Sequence, residues 1–211
     1  MVGDGSLTFQ EFIMNEPVPL AVVHDCVLKF LRGRSDAVLF GAQAVNAYVG
    51  PPRMTQDVDI VSTRAEQLAE ELRVHINQQL HIAVRIRRLR EGSGLRLYQI
   101  AKPKNRHLAD VRSVEVLPPT ERIEGVLVVT PLEVIAGKVI SCVRRRGKPK
   151  SFTDRRDLAY MLLRFPEFKV EAGAVKQRLQ AQDAGDEVLE FWHELVAEEI
   201  VPEEEDDDFV D

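Results

Sequence analysis

A glycine turn followed by two carboxylates on one short strand constrains this chain more than any other feature. The apolar run 37–40 ends at Gly41-Ala42, a short helical pattern follows, and a second apolar strand carries Asp57 and Asp59. Residues two apart on a strand point to the same face, so these carboxylates are predicted to lie side by side. Two like charges at that distance raise each other's pKa. The pair therefore requires either a solvated strand end or a divalent cation, for which carboxylate oxygens are natural ligands.

Hydrophobic periodicity divides the chain into an α/β part and a helical part. Alternating or continuous apolar runs predict strands at 37–40, 57–62, 82–87, 95–100, 106–116 and 126–129. Helical spacing predicts helices at 20–31, 42–48, 64–79, 131–146, 151–164, 174–182 and 186–198. The predicted fold class is α+β, with a mixed sheet flanked by helices and followed by a C-terminal helical part. The predicted organisation is an arm at 1–19, an α/β domain at 20–130, a helical domain at 131–200 and an acidic disordered tail at 201–211.

Charge is distributed unevenly along the chain. The net charge is −6, yet the last nine residues hold seven acids and no base, and without those seven acids it is +1. Residues 81–112 carry nine Lys/Arg against two acids, and residues 138–156 carry eight against one. Such asymmetry indicates either a positive field that suits a phosphate-rich partner or two ordinary solvated faces.

The cellular setting is predicted from what the sequence contains and lacks. The two cysteines, Cys26 and Cys142, are far apart in the chain and indicate reduced core thiols. No apolar run approaches the ~20 residues that span a bilayer, and the N-terminus lacks the basic start and apolar segment of a signal peptide. We therefore expect a cytoplasmic protein with no membrane partner.

The glycine turn, the Asp-x-Asp strand and a later strand aspartate, Asp110, together indicate a two-metal phosphoryl-transfer site. Carboxylates that hold two Mg²⁺ ions bind a triphosphate, polarise the attacking oxygen and stabilise the leaving pyrophosphate. The backbone amides of Gly41 and Ala42, at the start of a helix, are placed to receive the terminal phosphates.

These residues resemble a known family. Gly41-Ala42, the segment Arg53-x-Thr55-x-Asp57-x-Asp59 and Asp110 are similar to the nucleotidyltransferase superfamily built on the DNA polymerase β core. Within it, the chain is most similar to the AbiEii-like abortive-infection branch, the toxin half of type IV toxin–antitoxin pairs. The likeness covers roughly residues 38–163, and its helical part rests on Lys138 and the segment 150–157.

The resemblance implies a site and its cofactors. It implies Mg²⁺ or Mn²⁺ as the metal and an NTP as the substrate, and a cognate antitoxin is a possible partner. The catalytic and metal-binding residues it implies are Asp57, Asp59 and Asp110. The nucleotide-binding residues it implies are Gly41, Ala42, Arg53, Thr55 and Lys138.

The residues themselves also allow structural roles. The family's turn is Gly-Ser or Gly-Gly, whereas Ala42 offers an amide without a hydroxyl, for which Gln43 could compensate. Arg53 and Thr55 suit bracing of the turn as well as nucleotide contact. Asp110 could pair with Arg106 or Arg112, and Lys138 could be solvated on the polar side of its helix with Ser141 and Arg145. Asp154 could serve at a helix start beside Ser151. The histidines are expected to have structural roles: His24, His75, His81, His107 and His193.

Two hypotheses of different class follow. The first is an Mg²⁺-dependent enzyme that moves a nucleoside monophosphate from an NTP to an acceptor, and the basic segments 81–112 and 138–156 favour RNA, including tRNA, as that acceptor. The second is a catalytically weak or inactive member of the same fold that binds nucleotide or a partner protein, which the Gly-Ala turn favours.

Overall fold

A mixed seven-stranded sheet forms the framework of the first part of the chain. The computed structural model describes residues 18–50, 52–89, 94–101 and 104–202. The chain divides into two compact units, Met1–Thr130 and Pro131–Asp211. The predicted arm, apart from its last two residues, and the predicted tail from residue 203 onward lie outside the described residues.

In its described residues the first unit contains three α-helices and seven strands. In chain order its elements are α1 (Leu20–Leu31), β1 (Ala37–Phe40), α2 (Gly41–Tyr48), β2 (Val58–Ser62), α3 (Ala65–Leu80), β3 (Val84–Arg88), β4 (Gly94–Gln99), β5 (Arg106–Ser113), β6 (Thr120–Ile123) and β7 (Val126–Val129). The strand order across the sheet is β3-β4-β5-β2-β1-β7-β6. The pairs β2–β5 and β1–β7 are parallel, and the other pairs are antiparallel.

One face of the sheet carries its apolar side chains against helix α3. This helix contacts β2, β3, β4 and β5, and α1 packs on α3 in turn. The buried side chains that fill this layer are Ile60, Leu68, Leu72, Ile76, Leu97 and Val111. Because side chains alternate along a strand, the opposite face of the same strands is left for polar residues.

The second unit is helical, as the periodicity beyond residue 130 predicts. Its elements are α4 (Pro131–Arg144), α5 (Pro149–Arg164), a 3₁₀ turn (Pro166–Phe168), α6 (Ala174–Ala181) and α7 (Asp186–Ala197). Helix α4 contacts the other three helices of this unit. The core of the unit includes Ile135, Val139, Leu158 and the fully buried Trp192. Among the helices described in both units, none has the length and apolar character needed to cross a membrane.

Three local expectations were wrong or incomplete. Strand β2 begins at Val58, so Asp57 immediately precedes the strand rather than opening it. Strand β6 lacks an alternating pattern and is formed because it pairs with β7. Helix α5 begins at Pro149, whose fixed φ suits a first helical position, so Ser151 lies inside the helix rather than at its cap.

Candidate active site

Two of the predicted carboxylates stand next to each other on adjacent strands. In the parallel pairing of β2 with β5, Asp59 is the direct partner of Asp110. In-register residues on neighbouring strands point to the same face, so both carboxylates belong to the face opposite α3. Asp110 is buried and Asp59 is half-buried. The middle of the sheet therefore presents two acids at the point where β2 and β5 run side by side.

Asp110 is neutralised by a neighbouring strand rather than by its own. Arg96, its partner on β4, donates from Nε and Nη2 to the two oxygens of Asp110 over 2.9 and 2.8 Å. The alternative partners from the sequence are engaged elsewhere: Arg106 donates to the carbonyl of Val18, and Arg112 lies over the ring of Phe40. The structural alternative of a pair with Arg106 or Arg112 is therefore replaced by a pair with Arg96, because cross-strand neighbours are closer than residues two apart along a strand.

His107 connects Asp110 with Asp57. Its Nε2 lies 2.8 Å from Oδ1 of Asp110, and its Nδ1 lies 3.0 Å from Oδ2 of Asp57. A β-bulge permits this geometry, because Ala109 pairs with Leu97 while His107 pairs with Tyr98, which leaves Leu108 as an extra residue. The extra residue shifts the alternation of β5, so His107 and Asp110, three apart in sequence, reach the same site.

The ionisation of this cluster follows from its contacts. Burial lowers the pKa of His107, but hydrogen bonds to Asp110 and Asp57 outweigh it and raise that pKa to about 9. Burial opposes ionisation of Asp110, yet Arg96 and His107 hold the pKa of its carboxyl well below the usual range. At neutral pH both ring nitrogens of His107 are protonated and donate to carboxylates, which can only accept.

The donor set fits a hard divalent cation. Asp57 and Asp110 each offer a carboxylate oxygen, and His107 offers a ring nitrogen when it gives up a proton; these atoms lie within 4.8 Å of one another. Asp59 is not in this group, but it is in register with Asp110 and carries a further carboxylate on the same face. Carboxylate oxygens in this number and spacing suit Mg²⁺ or Mn²⁺. The sequence reasoning missed His107, because its spacing from the acids is meaningful only through the bulge.

Gly41 is pressed against Asp59. Its φ is +70°, which residues with a Cβ rarely adopt. A Cβ on Gly41 would lie 3.1 Å from both Cβ and Cγ of Asp59 and closer still to Oδ2. The glycine therefore allows the backbone at the start of α2 to approach the carboxylate of Asp59.

Helix α2 begins directly at this turn. Its N-cap is Phe40, which makes no side-chain hydrogen bond to the first turn. The first amides of a helix have no partner within the helix and carry the positive end of its dipole. The amides around Gly41 and Ala42 are thus of the kind with which helix N-termini bind anions, and they lie next to Asp59.

Thr55 and Gln43 brace the approach to Asp57. The amide of Gln43 donates to Oγ1 of Thr55 over 2.7 Å and contacts Nδ1 of His24 at 3.1 Å. Thr55, which is buried, donates in turn to the carbonyl of Asp57 over 3.2 Å. Of the two roles considered for Thr55, the structure shows the bracing one.

Arg53 is tied to α2 by its backbone. Its N–H donates to Oδ1 of Asn46 over 3.1 Å, and its carbonyl accepts from Nδ2 of the same side chain over 2.7 Å. Its guanidinium contacts the carbonyl of Met54 at 3.4 Å. The backbone clamp holds the segment before Asp57 close to the helix that starts at Gly41.

Lys138 lies in the helical unit within a buried ion-pair cluster. Its Nζ donates to Asp154 over 2.8 Å and to Asp157 over 2.5 Å, and Arg145 donates to the second oxygen of Asp154 over 2.7 Å. Lys138 is only 7% exposed and the two acids less, so its expected position on the polar side of α4 was wrong. Asp154 is likewise a core partner of Lys138 and not a helix-start acid. The reason is tertiary, because the neutralising acids come from α5.

Comparison with known families gives the chain its class. The family model described as "Nucleotidyl transferase AbiEii toxin, Type IV TA system" matches residues 28–209. The chain belongs to the AbiEii family. The match confirms the resemblance drawn from the glycine turn and the Asp-x-Asp strand, and with it the enzyme class of nucleotidyltransferase. No curated protein matches the sequence.

Solved structures confirm the fold. The polyadenylate synthase of Megavirus matches with a TM-score of 0.55 at 12% identity, over 70% of this chain and 32% of that one. JHP933 from Helicobacter pylori matches with a TM-score of 0.52 at 16% identity, over 91% of each chain. At such low identity the similarity supports the α+β polymerase β-like fold and no detail of substrate. This chain spans about a third of the length of the viral enzyme.

Proposed function

We propose that this AbiEii family member is a divalent-cation-dependent nucleotidyltransferase that transfers a nucleoside monophosphate from an NTP to RNA. One observation carries the proposal: Asp59 and Asp110 stand in register on parallel strands, and Gly41 brings the start of α2 against Asp59. Carboxylates that can bind a cation therefore lie next to backbone amides that can bind a phosphate.

The residues have distinct roles in this proposal. Asp57, Asp59 and Asp110 would hold Mg²⁺ or Mn²⁺, which when bound neutralises phosphate charge and activates the attacking oxygen. The amides at Gly41 and Ala42 would bind the terminal phosphates of the NTP. Arg53 and Thr55 keep the Asp57 segment in place.

The reaction balances as a simple displacement. An acceptor hydroxyl oxygen forms a bond to the α-phosphorus, the bond from that phosphorus to its bridging oxygen breaks, and pyrophosphate leaves with the electron pair. The hydroxyl proton is released to solvent. Asp110, held ionised by Arg96 and His107, accepts a hydrogen bond from the hydroxyl at Oδ2 and orients it, because Oδ1 already accepts from both Arg96 and His107 whereas Oδ2 accepts from Arg96 alone.

The experiment is incubation of the full chain with each α-labelled NTP, Mg²⁺ and total RNA. We expect label transfer by the wild type, loss of transfer in Asp57→Asn and Asp59→Asn, and normal transfer in Asp25→Asn. Asp25 is a suitable control because it is a partly exposed acid on α1 that pairs with Lys29. Tight NTP binding without transfer to any acceptor would instead favour the non-catalytic binding module.

The toxin role rests on the family. A type IV toxin arrests growth when expressed without its antitoxin, so we expect growth arrest on expression and relief of that arrest by Asp59→Ala. A cognate antitoxin encoded beside this chain would restore growth when co-expressed. Unimpaired growth on expression of the active enzyme would remove the toxin role while leaving the enzymatic one.

A further inference from the structure

The face of the sheet that carries the carboxylates continues to its edge as a basic surface. Along one line of cross-strand neighbours, Asp59 pairs with Asp110, Asp110 with Arg96, and Arg96 with Arg87 on the edge strand β3. One line further along, His107 pairs with Tyr98, and Tyr98 pairs with Arg85. Because directly paired residues share a face, Arg85, Arg87 and Tyr98 lie on the same side as the acids.

The positive charges of Arg85 and Arg87 on this face would be stabilised by a bound anion. Arg96 places its charge on Asp110, but Arg87 stands directly opposite Arg96, and like charges in that position are destabilising. Arg85 and Arg87 are exposed, and within the described residues neither makes a hydrogen bond or an ion pair. The next residue, Arg88, points to the other face and pairs with Glu66 of α3. Of the three arginines on β3, the two on the carboxylate face, Arg85 and Arg87, lack an acidic partner among the residues described, and Arg88 on the other face has one.

The distances match a strand of nucleic acid that leads into the site. Neighbouring strands are about 4.8 Å apart, so Arg87 lies two spacings, roughly 10 Å, from Asp110. Tyr98 lies between Arg85 and His107 and is half-buried, so its ring is held on the sheet. Arginines beside an aromatic side chain suit single-stranded nucleic acid, because phosphates bind the guanidinium groups and a base stacks on the ring.

We infer that the carboxylate-side face of β3 and β4, formed by Arg85, Arg87 and Tyr98, binds the single-stranded end of the RNA acceptor and directs it to Asp59 and Asp110. The inference deepens the proposed function and rests on it for the reaction, but the surface itself is defined by charge and register. The backbone of the RNA contacts the arginines, which makes binding independent of sequence. The terminal hydroxyl then reaches the carboxylates from the β3 edge.

The test measures binding of a fluorescein-labelled single-stranded RNA to the full chain by anisotropy, in Mg²⁺ and over a range of salt. We expect Arg85→Gln/Arg87→Gln to bind about tenfold more weakly and to reduce the slope of log affinity against log salt by about 1.4, since each lost phosphate contact on a single strand removes ~0.7. Arg88→Gln, the matched control on the same strand, should bind as the wild type does. Tyr98→Leu should weaken binding about tenfold and leave the salt slope unchanged, because stacking releases no counterions.

Several results would overturn the inference. These are a double variant that binds like Arg88→Gln, a salt slope that is the same in all variants, or duplex RNA that binds as tightly as single-stranded RNA. Label transferred to a protein, with RNA binding unaffected by the arginines, would also overturn it.

The same preparations separate this inference from the proposed function. RNA binding that depends on Arg85 and Arg87 without any label transfer would support the surface and refute the enzymatic proposal. Label transfer to RNA that is equal in the wild type and the double variant would support the enzyme and refute the surface.

Discussion

Replacement of Gly41 by alanine tests the central geometry of the site. The structure gives this substitution two separable effects, because Gly41 has a φ of +70° and faces Asp59 directly. The first effect is backbone strain, which for a residue with a Cβ in the left-handed region is about 1 kcal/mol of unfolding free energy. The second is displacement of the carboxylate.

The size of the displacement follows from the contact. The new Cβ would lie 3.1 Å from Cβ and Cγ of Asp59 and closer to Oδ2, whereas apolar contacts are normal at about 3.5 Å or more. Asp59 must therefore retreat by about 1 Å at its oxygen. A misplacement of ~1 Å in a catalytic arrangement costs roughly 100-fold in rate. We expect Gly41→Ala to lose about 100-fold in nucleotidyl transfer and only modest stability.

Gly33→Ala is the matched control. Gly33 has a φ of +80°, and no atom lies within 4 Å of the place that its Cβ would take, so its substitution brings the strain without the clash. Urea unfolding should show a similar loss of about 1 kcal/mol in both variants, while label transfer from an NTP should fall only in Gly41→Ala. If both variants transfer label equally well, the contact with Asp59 is not what Gly41 is needed for.

Three further predictions concern stability. In metal-free buffer, the pKa of His107 is raised from 6.5 to about 9. The contribution of His107 to the free energy of unfolding is therefore complete below pH 6.5 and is lost as the pH rises through 9. Urea unfolding should show that His107→Gln is less stable than the wild type by up to about 3 kcal/mol at pH 6, with a much smaller difference at pH 9.5. An equal gap at both pH values would contradict this assignment. Lys138→Met should cost about 3–5 kcal/mol because it removes the buried cation that pairs with the buried carboxylates of Asp154 and Asp157. Arg146→Met, at an exposed pair, should change stability by less than about 1 kcal/mol. Similar melting temperatures for the two variants would refute the buried-pair argument. Thr55→Val should cost about 1–2 kcal/mol in urea unfolding because it removes the donor to the carbonyl of Asp57, and Thr55→Ser should restore most of it; failure of serine to do so would show that packing, not the hydroxyl, is what matters.

Local sequence patterns predicted the elements well where one force dominates. The alternation in 82–100 and the helical spacing in 64–79 and 186–198 produced the right elements, because burial of one face decides each of them. Strand β6 was not predicted, since Thr120–Ile123 is exposed or half-buried and has no apolar face to signal its pairing. The start of α5 was misplaced by two residues, because Pro149 and Ser151 both resemble helix starts.

The site was predicted only in part for a related reason. Asp57, Asp59 and Asp110 are visible in the sequence, because acids within apolar strands are unusual and require a reason. Arg96 and His107 are not, since one reaches Asp110 across a strand pair and the other through a bulge. For Lys138 the sequence left nucleotide contact and a solvated position open, because a lysine on a helix gives no sign that two acids from the next helix will enclose it.

The sequence by itself determined the class of this protein, since a glycine turn and an Asp-x-Asp strand require close approach of backbone and carboxylates whatever surrounds them. The tertiary structure decided which charges compensate one another. Strand register and the Leu108 bulge brought Arg96 and His107 to Asp110, and the same register left Arg85 and Arg87 beside them without an acidic partner among the described residues. The physical reason is that electrostatic energy depends on distances of a few ångströms between side chains on different strands, and those distances are fixed only when the sheet has formed.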